Sequence, residues 1–249
     1  MSTNPILIIL PTFNEAGAIG EVISRIDELS EDLSLFEIDI LHIDDSSTDA
    51  TAEIARAVNF PHFHQVIRPG KLGLGTAYLY GFQWALDSKK CYQLIVEMDG
   101  DGSHLAEDLP DLLAPFGNAT PPDLVLGTRW MPGGRVSHWP LYRRLISRIG
   151  TKYAQIALQL PLRDLTSGYR VFSREAIKTL LATNLSSKGY SFQIETAMRI
   201  VDSGLIVFEV PIHFVERTVG KSKMSIAIAI EAWRKVTIWG TQRLLSNRR

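Results

Sequence analysis

The stretch that decides the fold is Leu94-Ile95-Val96-Glu97-Met98-Asp99-Gly100-Asp101. Its apolar first part predicts a buried strand, which ends in two aspartates separated by a glycine. Carboxylates at the carboxyl end of a strand lie where α/β sheets bind their ligands, and a glycine lets a ligand approach the backbone closely. Two hard anionic groups in this position suit Mg²⁺ or Mn²⁺ holding a diphosphate. The stretch therefore predicts a metal and diphosphate site of the kind that a nucleotide-sugar transferase needs. A solvated turn is the alternative for this pair of aspartates taken alone.

Apolar strands and amphipathic helices alternate on both sides of this stretch. Apolar runs predict strands at Ile6–Leu10, Ile38–Ile43, Gln65–Ile67, Leu94–Met98 and Leu124–Gly127. Apolar residues at helical spacing predict a helix after each of the first three strands. Such alternation implies an α/β fold with a mixed, mostly parallel sheet and helices on both faces.

Beyond Arg129 the alternation is looser and the predicted helices are longer. The predicted elements are helices at Pro140–Leu160, Ser191–Ser203 and Ser225–Leu245, and a strand at Ile206–Pro211. No linker rich in glycine, serine or proline and no internal repeat interrupts the 249 residues. We therefore expect a single domain over residues 1–249.

Charge is unevenly distributed along the chain, although the net charge is only -1. Residues 1–128 contain 6 Lys and Arg against 20 Asp and Glu, whereas residues 129–249 contain 20 against 7. Such asymmetry indicates that the second half faces anions, whether phosphates, acidic lipid or nucleic acid. Mutual neutralisation of two packed halves is the alternative. Because the basic half has no aromatic–basic repeat or recognition motif, we do not expect nucleic-acid binding.

The cysteine content and the absence of targeting or membrane-spanning patterns indicate the cellular compartment. Cys91 is the single cysteine, the first residues do not resemble a signal peptide, and no run of 18 apolar residues is free of charge. The final helix carries Trp233 and Trp239 among cations such as Arg243. We expect a cytoplasmic protein, peripheral on the cytosolic face of a membrane, whose last helix docks to lipid or to a small membrane-spanning partner. A terminal helix packed in a groove of the domain is the alternative.

Polar residues follow four of the predicted strands where each strand ends. The segments are Pro11–Glu15, Ile43–Asp45, Asp99–Asp101 and Gly127–Arg129. Because the carboxyl ends of parallel strands meet at one edge of a sheet, we expect these side chains to converge. Phe13 offers a ring for a base, and Asp45 could bind donors of the base or ribose. Converging acids repel each other unless cations or hydroxyl groups meet them, so the set predicts a binding site.

Seven motifs occur in the order in which a known family carries them. They are Pro11-Thr12-Phe13-Asn14-Glu15, Asp44-Asp45-Ser46-Ser47-Thr48-Asp49, Gly73-Leu74-Gly75-Thr76-Ala77, Met98-Asp99-Gly100-Asp101, Thr166-Ser167-Gly168-Tyr169-Arg170, Gly189-Tyr190-Ser191-Phe192-Gln193 and Val219-Gly220-Lys221-Ser222-Lys223. From about Ile6 to Met224 the chain resembles the inverting family 2 glycosyltransferases, specifically the dolichol- or polyprenol-phosphate mannosyltransferases. The resemblance implies a GT-A fold. It also implies transfer of mannose from GDP-mannose to a polyprenyl (dolichyl) monophosphate with inversion, giving a β-mannosyl phosphoryl lipid.

Roles for individual residues follow from the same resemblance. The residues implied for the guanosine part are Pro11, Phe13, Glu15, Ile43 and Asp45, and those for the sugar diphosphate are Asp99, Gly100 and Asp101. Those implied around Mg²⁺ or Mn²⁺ are Asp99, Asp101 and Ser103. Donor phosphates would meet Arg129, Arg217 and Lys223, and the acceptor phosphate would meet Arg143 and Ser147. The residues implied in catalysis are Asp101, Arg129 and Arg143.

The resemblance also divides the domain by task. Residues 1–128 would bind the nucleotide, residues 129–224 the acceptor and its phosphate, and residues 225–249 would form the amphipathic helix. Two other functions stay open from the sequence. One is a transferase that uses a UDP-sugar, such as a glucosyltransferase, on the same lipid phosphate. The other is a non-catalytic subunit that binds a nucleotide sugar.

Overall fold

The computed structural model describes residues 4–183, 185, 187, 189–217 and 226–246. The strands are β1 (Asn4–Thr12), β2 (Phe36–Asp44), β3 (Phe63–Ile67), β4 (Leu94–Glu97), β5 (Leu124–Thr128), β6 (Arg135–Ser137), β7 (Arg170–Ser173), β8 (Val207–Pro211) and β9 (His213–Val215). The α-helices are α1 (Ile19–Asp32), α2 (Thr51–Ala57), α3 (Leu74–Asp87), α4 (Leu109–Leu113), α5 (Leu141–Leu158), α6 (Arg174–Ala182), α7 (Tyr190–Asp202) and α8 (Ile226–Ser246).

Seven strands form the main sheet, in the order β3-β2-β1-β4-β7-β5-β8. All neighbouring pairs are parallel except those of β7, which runs antiparallel to both β4 and β5. The short strands β6 and β9 form a separate parallel pair. The mixed, mostly parallel sheet predicted from the sequence is therefore confirmed. Its predicted strands are all present, whereas β6, β7 and β9 were not predicted.

Strand β1 shows why an unbroken apolar run belongs at the centre of this sheet. Ile6, Ile8 and Leu10 face the helix α1, and the alternate residues Leu7 and Ile9 face the helix α3. All five side chains are fully buried. A strand covered on both faces needs apolar residues at every position, because no face is left for water.

The register of the sheet brings the functional segments to one edge. Thr12 at the end of β1 pairs with Asp44 at the end of β2, and Ile9 pairs with Glu97 of β4. Because β7 is antiparallel to both β4 and β5, these two strands point the same way and β5 delivers Arg129 to the same edge. The predicted convergence of strand ends is thus observed.

Helices α5 and α8 pack on each other beside this edge. Their closest approach is at Gly240, where a Cβ would lie 2.6 Å from the carbonyl oxygen of Ala157. Farther along, the rings of Tyr153 and Trp233 lie 5.7 Å apart, and the Tyr153 hydroxyl is 2.6 Å from that of Thr237. No helix in the described part of the chain is both long and apolar enough to span a bilayer.

Candidate active site

A cavity of about 240 Å³ opens at the carboxyl edge of the sheet and extends between α5 and α8. It is lined by seven residues predicted from the sequence to bind metal, donor phosphates or acceptor phosphate: Asp99, Asp101, Ser103, Arg129, Arg143, Ser147 and Arg217. Lys223 lies outside the described residues. The cavity therefore joins the acidic pair to the predicted acceptor residues of α5.

Hydrogen bonds hold both the carboxylate and the backbone of Asp99. Its Oδ1 accepts a hydrogen bond from the Tyr78 hydroxyl at 3.1 Å, and its backbone N–H donates to Nδ1 of His104 at 3.0 Å. Because Nδ1 accepts that hydrogen bond, it carries no proton, and its 3.9 Å separation from Asp99 Oδ2 is not an ion pair. Burial, with the negative charge of Asp101, raises the pKa of Asp99. Negative charge is thus concentrated here, as a cation site requires.

Asp101 is bound to a cation of the chain itself. Its Oδ2 lies 2.7 Å from Arg217, and its Oδ1 accepts the backbone N–H of Ser103 at 2.9 Å. The same guanidinium lies 3.6 Å from Glu15, so Arg217 bridges acids that follow β1 and β4. This meets the requirement that converging carboxylates have a positive partner.

The donor set at this edge fits a hard divalent cation. Asp99 and Asp101 offer carboxylate oxygens and Ser103 a hydroxyl, which are the ligand types that Mg²⁺ and Mn²⁺ prefer. Among the described residues, Glu37, Asp39 and His62 also bring possible ligand atoms within 4.8 Å of one another, near the amino end of β2. Lys90 forms ion pairs with both carboxylates there, so that group already has its counter-charge.

The residues predicted to hold the nucleotide base lie beside the cavity, at the ends of β1 and β2. The Lys71 ammonium sits 4.5 Å from the centre of the Phe13 ring. Asp45 forms a buried ion pair with Arg68 and accepts the backbone N–H of Gly73 at 3.1 Å. Asp45 therefore fixes the loop before α3, a role that the sequence did not predict. The contacts of Phe13, Glu15 and Asp45 with a nucleotide remain predictions, as do those of Pro11, Ile43 and Gly100.

Arg129 is anchored on its inner side by a residue that the sequence reasoning missed. Its Nε lies 2.7 Å from Oδ2 of Asp164, and its second terminal nitrogen lies 2.9 Å from Oδ1 and 2.8 Å from Thr166 Oγ1. Burial alone would raise the pKa of Asp164, but the charge and hydrogen bonds of Arg129 lower it. The ring of Trp139 lies 5.5 Å from the guanidinium. A fixed Arg129 can present positive charge to the cavity without reorganising.

The two predicted acceptor residues lie one turn apart on α5 and share a face. Arg143 forms an ion pair with Glu216 and stacks 4.2 Å above the Trp139 ring, while Ser147 lines the cavity next to it. Residues four apart on a helix are neighbours on its surface, so both side chains can meet one ligand. Beyond them the wall is mostly apolar and includes Ile146, Tyr153 and Trp233.

Comparisons with known proteins agree with this arrangement. Residues 7–181 match the family model described as glycosyl transferase family 2. An undecaprenyl-phosphate mannosyltransferase of Micrococcus luteus is 41% identical over 94% of this chain and 93% of its own length. A polyprenol monophosphomannose synthase of Mycolicibacterium smegmatis is 37% identical over 99% of this chain and 91% of its own.

A solved structure shares the fold at much lower identity. It is glucosyl-3-phosphoglycerate synthase from Mycobacterium tuberculosis in complex with Mn²⁺, UDP and phosphoglyceric acid. The TM-score is 0.65 at 20% identity, over 98% of this chain and 78% of that one. The architecture is that of the GT-A glycosyltransferases, as the resemblance implied. Fold, family model and full-length relatives lead to one conclusion: the chain belongs to glycosyltransferase family 2.

Proposed function

We propose that this glycosyltransferase moves mannose from GDP-mannose to a polyprenyl monophosphate, with inversion at the sugar. The observation that carries the proposal is one continuous cavity that joins Asp99 and Asp101 to the apolar groove between α5 and α8. A nucleotide sugar and a lipid phosphate need such a shared space, because their reacting atoms must come into contact. The two mannosyltransferase relatives, which align over nearly the whole chain, support mannose as the sugar and a polyprenyl phosphate as the acceptor.

The side chains at the phosphate end of the cavity suit a phosphate nucleophile. A phosphate monoester is already anionic near neutral pH, so its attack needs no strong general base. Arg143 and Ser147 would hold the acceptor phosphate, since a guanidinium fork and a hydroxyl both donate to phosphate oxygens. Positioned behind the anomeric carbon, that phosphate attacks the face opposite the departing diphosphate, which inverts the sugar.

Positive charge for the leaving group is available from two further arginines that line the cavity. Arg129 and Arg217 line the cavity near Asp101 and would donate to the diphosphate oxygens. Asp99, Asp101 and Ser103 would hold Mg²⁺ or Mn²⁺, which supplies further positive charge to the diphosphate when bound. Arg217 lies 2.7 Å from Asp101 and therefore beside the position proposed for the donor diphosphate.

The apolar arm of the cavity has the shape and lining for the first isoprene units of the lipid. Ile146, Tyr153 and Trp233 form its walls, and Gly150 leaves it open because nothing lies within 4 Å of the position of a Cβ. An apolar groove that continues from a phosphate-binding end matches the two chemical parts of a polyprenyl phosphate.

The outer face of α5 and α8 would bring the enzyme to the lipid. Leu141, Leu145, Ile149 and Ile156 of α5 are more than half exposed, as is Trp233 of α8. Exposed cations such as Arg148 and Lys152 lie on α5 as well. We propose that this face docks to the cytosolic surface of a membrane containing acidic lipid, and that no nucleic acid is bound. A small membrane-spanning partner that covers the face is the other outcome of the test below.

Docking is tested by co-sedimentation of the full chain with vesicles of phosphatidylcholine and phosphatidylglycerol. The double change Leu145→Asp and Ile149→Asp should reduce the bound fraction severalfold. Leu35→Asp is the matched control, because Leu35 is 66% exposed but precedes β2 at the opposite edge of the sheet. Equal binding by all three proteins would contradict docking through this face. A wild-type chain that binds only when membrane proteins are present would favour the partner.

The transfer itself is tested with radiolabelled GDP-mannose, a short polyprenyl phosphate and Mn²⁺. The wild type should make a labelled lipid, and Asp101→Ala should lose at least about a hundredfold in rate, as expected for lost charge stabilisation in the transition state. Asp111→Ala removes an exposed acid of α4 and should retain full rate. Transfer from UDP-glucose but not from GDP-mannose would show that the donor is a UDP-sugar. No transfer from either donor would indicate a non-catalytic subunit.

A further inference from the structure

Two arginines of the active site have counter-ions in different positions. Arg129 pairs with Asp164, which is fully buried and lies outside the lining of the cavity. Arg143 pairs with Glu216, and both of these side chains line the cavity. The Arg143 side chain is 19% exposed and that of Glu216 is 29% exposed. The counter-ion of Arg143 therefore lies in the space proposed for the acceptor phosphate.

Arg143 has a second support that does not depend on Glu216. Its guanidinium stacks 4.2 Å from the centre of the Trp139 ring, and one of its terminal nitrogens donates to Oε1 of Glu216. Arg129 is bound more extensively, because two side-chain nitrogens and its backbone N–H all donate to Asp164. If another anion takes the place of Glu216, Arg143 stays paired and stays stacked. Glu216 is thus the part of this pair that can be exchanged.

A second cavity provides space for the Glu216 carboxylate once it leaves Arg143. This cavity has a volume of about 250 Å³, and Glu216 lines it as well as the first. Its lining includes Glu21 and Arg25 of α1, which are both exposed, so water reaches it. Rotation of the Glu216 side chain can therefore move the carboxylate from Arg143 into hydrated space, where an unpaired charge costs little.

The charge of a phosphate monoester favours the exchange. Such a group carries about −1.5 to −2 at pH 7 on three acceptor oxygens, whereas a carboxylate carries a single charge. The guanidinium fork of Arg143 matches phosphate geometry, and Ser147 offers a further donor one helical turn away. A carboxylate that remained beside the bound phosphate would repel it. Phosphate and Glu216 therefore compete for Arg143.

We infer that Glu216 is a displaceable counter-ion of the acceptor site. It pairs with Arg143 when no phosphate is bound, turns aside when the phosphate of the lipid binds, and returns as the product leaves. Glu216 thereby weakens the binding of substrate and product alike, which keeps the phosphate end of the cavity from retaining the product. The inference rests on the proposed function and adds a residue that sets the affinity for the acceptor.

Calorimetric titration of the full chain with a short polyprenyl phosphate, without nucleotide or metal, tests the competition. Glu216→Gln keeps the shape but removes the charge, and it should bind the lipid about fivefold more tightly, as expected for losing an ion pair that water reaches. Glu216→Ala should give a similar gain. Glu175→Gln, which removes the charge of an exposed ion pair with Lys178 on α6, is the matched control and should bind like the wild type. In a chain that already carries Arg143→Gln, the gain from Glu216→Gln should shrink to less than about twofold, because no guanidinium is left to compete for.

Transfer kinetics give a second readout. In Glu216→Gln the KM for polyprenyl phosphate should fall by about the same factor, and kcat should not rise, because Glu216 opposes binding in the ground state and the transition state alike. Unchanged or weaker binding of the lipid would overturn the inference, since a residue that only positions Arg143 lowers affinity when it is removed. An undiminished gain in the Arg143→Gln chain would overturn it too.

The same measurements separate this inference from the proposed function. If the wild type binds polyprenyl phosphate but transfers no sugar, the proposed function fails while the binding comparison still tests Glu216. If transfer occurs and Glu216→Gln shows no gain in affinity, only the inference fails. Absence of binding by the wild type and by Glu216→Gln would overturn the inference and the proposed acceptor together.

Discussion

Replacing glycine by alanine is predicted to have opposite effects on stability at Gly240 in α8 and at Gly150 in α5, because only Gly240 is buried in the contact between the two helices. Gly240 of α8 is buried against the backbone of α5, and a Cβ there would lie 2.6 Å from the Ala157 carbonyl oxygen and 3.1 Å from its carbon. Packed Cβ atoms essentially never come within 3.0 Å of another atom, so Gly240→Ala must push the helices apart. Gly150 of α5 is exposed, with nothing near the position of its Cβ.

The magnitude follows from two opposing terms. Replacing glycine by alanine inside a helix stabilises by about 0.5–1 kcal/mol, and overpacking a tight contact costs about 1–3 kcal/mol. Gly240→Ala should therefore lower the free energy of unfolding by about 1–2 kcal/mol, and Gly150→Ala should raise it by up to about 1 kcal/mol. At about 2–4 °C for each kcal/mol in a chain of this size, the two Tm values should separate by several degrees.

Differential scanning calorimetry and urea unfolding measure these changes. Gly240→Ala should also slow transfer to a polyprenyl phosphate, because separating α5 from α8 deforms the apolar arm of the cavity, while GDP affinity stays unchanged. The reasoning is refuted if Gly240→Ala is as stable as the wild type, or if both variants shift Tm in the same direction.

Three further predictions concern polar side chains. Asp164→Asn should lower the free energy of unfolding by about 3–5 kcal/mol in urea titrations, since it removes the Asp164 charge that faces the buried Arg129 guanidinium; a change below about 1 kcal/mol would contradict the anchoring role. Burial raises the pKa of Glu97 to about 8. The native state therefore retains a proton that the unfolded state releases above pH 4.5, and stability present at low pH is lost as pH rises towards 8. Glu97→Gln should flatten that slope by up to about 1.4 kcal/mol per pH unit, and an unchanged slope would refute it. Ser173→Ala should cost about 1 kcal/mol in thermal unfolding, because its side chain caps α6 through the Ala176 N–H, and an unchanged Tm would show that the cap is dispensable.

The central parallel strands β1, β2, β4 and β5 could be predicted because they are largely buried on both faces and read as apolar runs. Strand β7 could not, although it lies in the middle of the sheet. It begins with Arg170, whose guanidinium is fully buried and donates to the carbonyl oxygens of Ser167 and Leu165 and to Thr196. A short run that begins with a charged residue is typical of a loop. Only the structure shows the hydrogen-bond partners that allow this charge to be buried in a strand.

The active site was predictable wherever a strand end carried its own signal. The acidic pair follows a clear strand, whereas Arg143 and Ser147 were predicted only through the family resemblance. Asp164 gave no such signal, because its partner Arg129 is 35 residues away along the chain. Gln193 was noticed only as part of a family motif, and its burial is visible only in three dimensions.

The most direct test of the account is to locate the lipid in the cavity. A short polyprenyl phosphate with a photoreactive group on its first isoprene unit would be irradiated with the full chain, GDP and Mn²⁺, and the labelled peptides identified by mass spectrometry. The account predicts labelling on the walls formed by α5 and α8, around Gly150, Tyr153 and Trp233, and its loss with excess unlabelled polyprenyl phosphate. Specific labelling confined to another surface would contradict it.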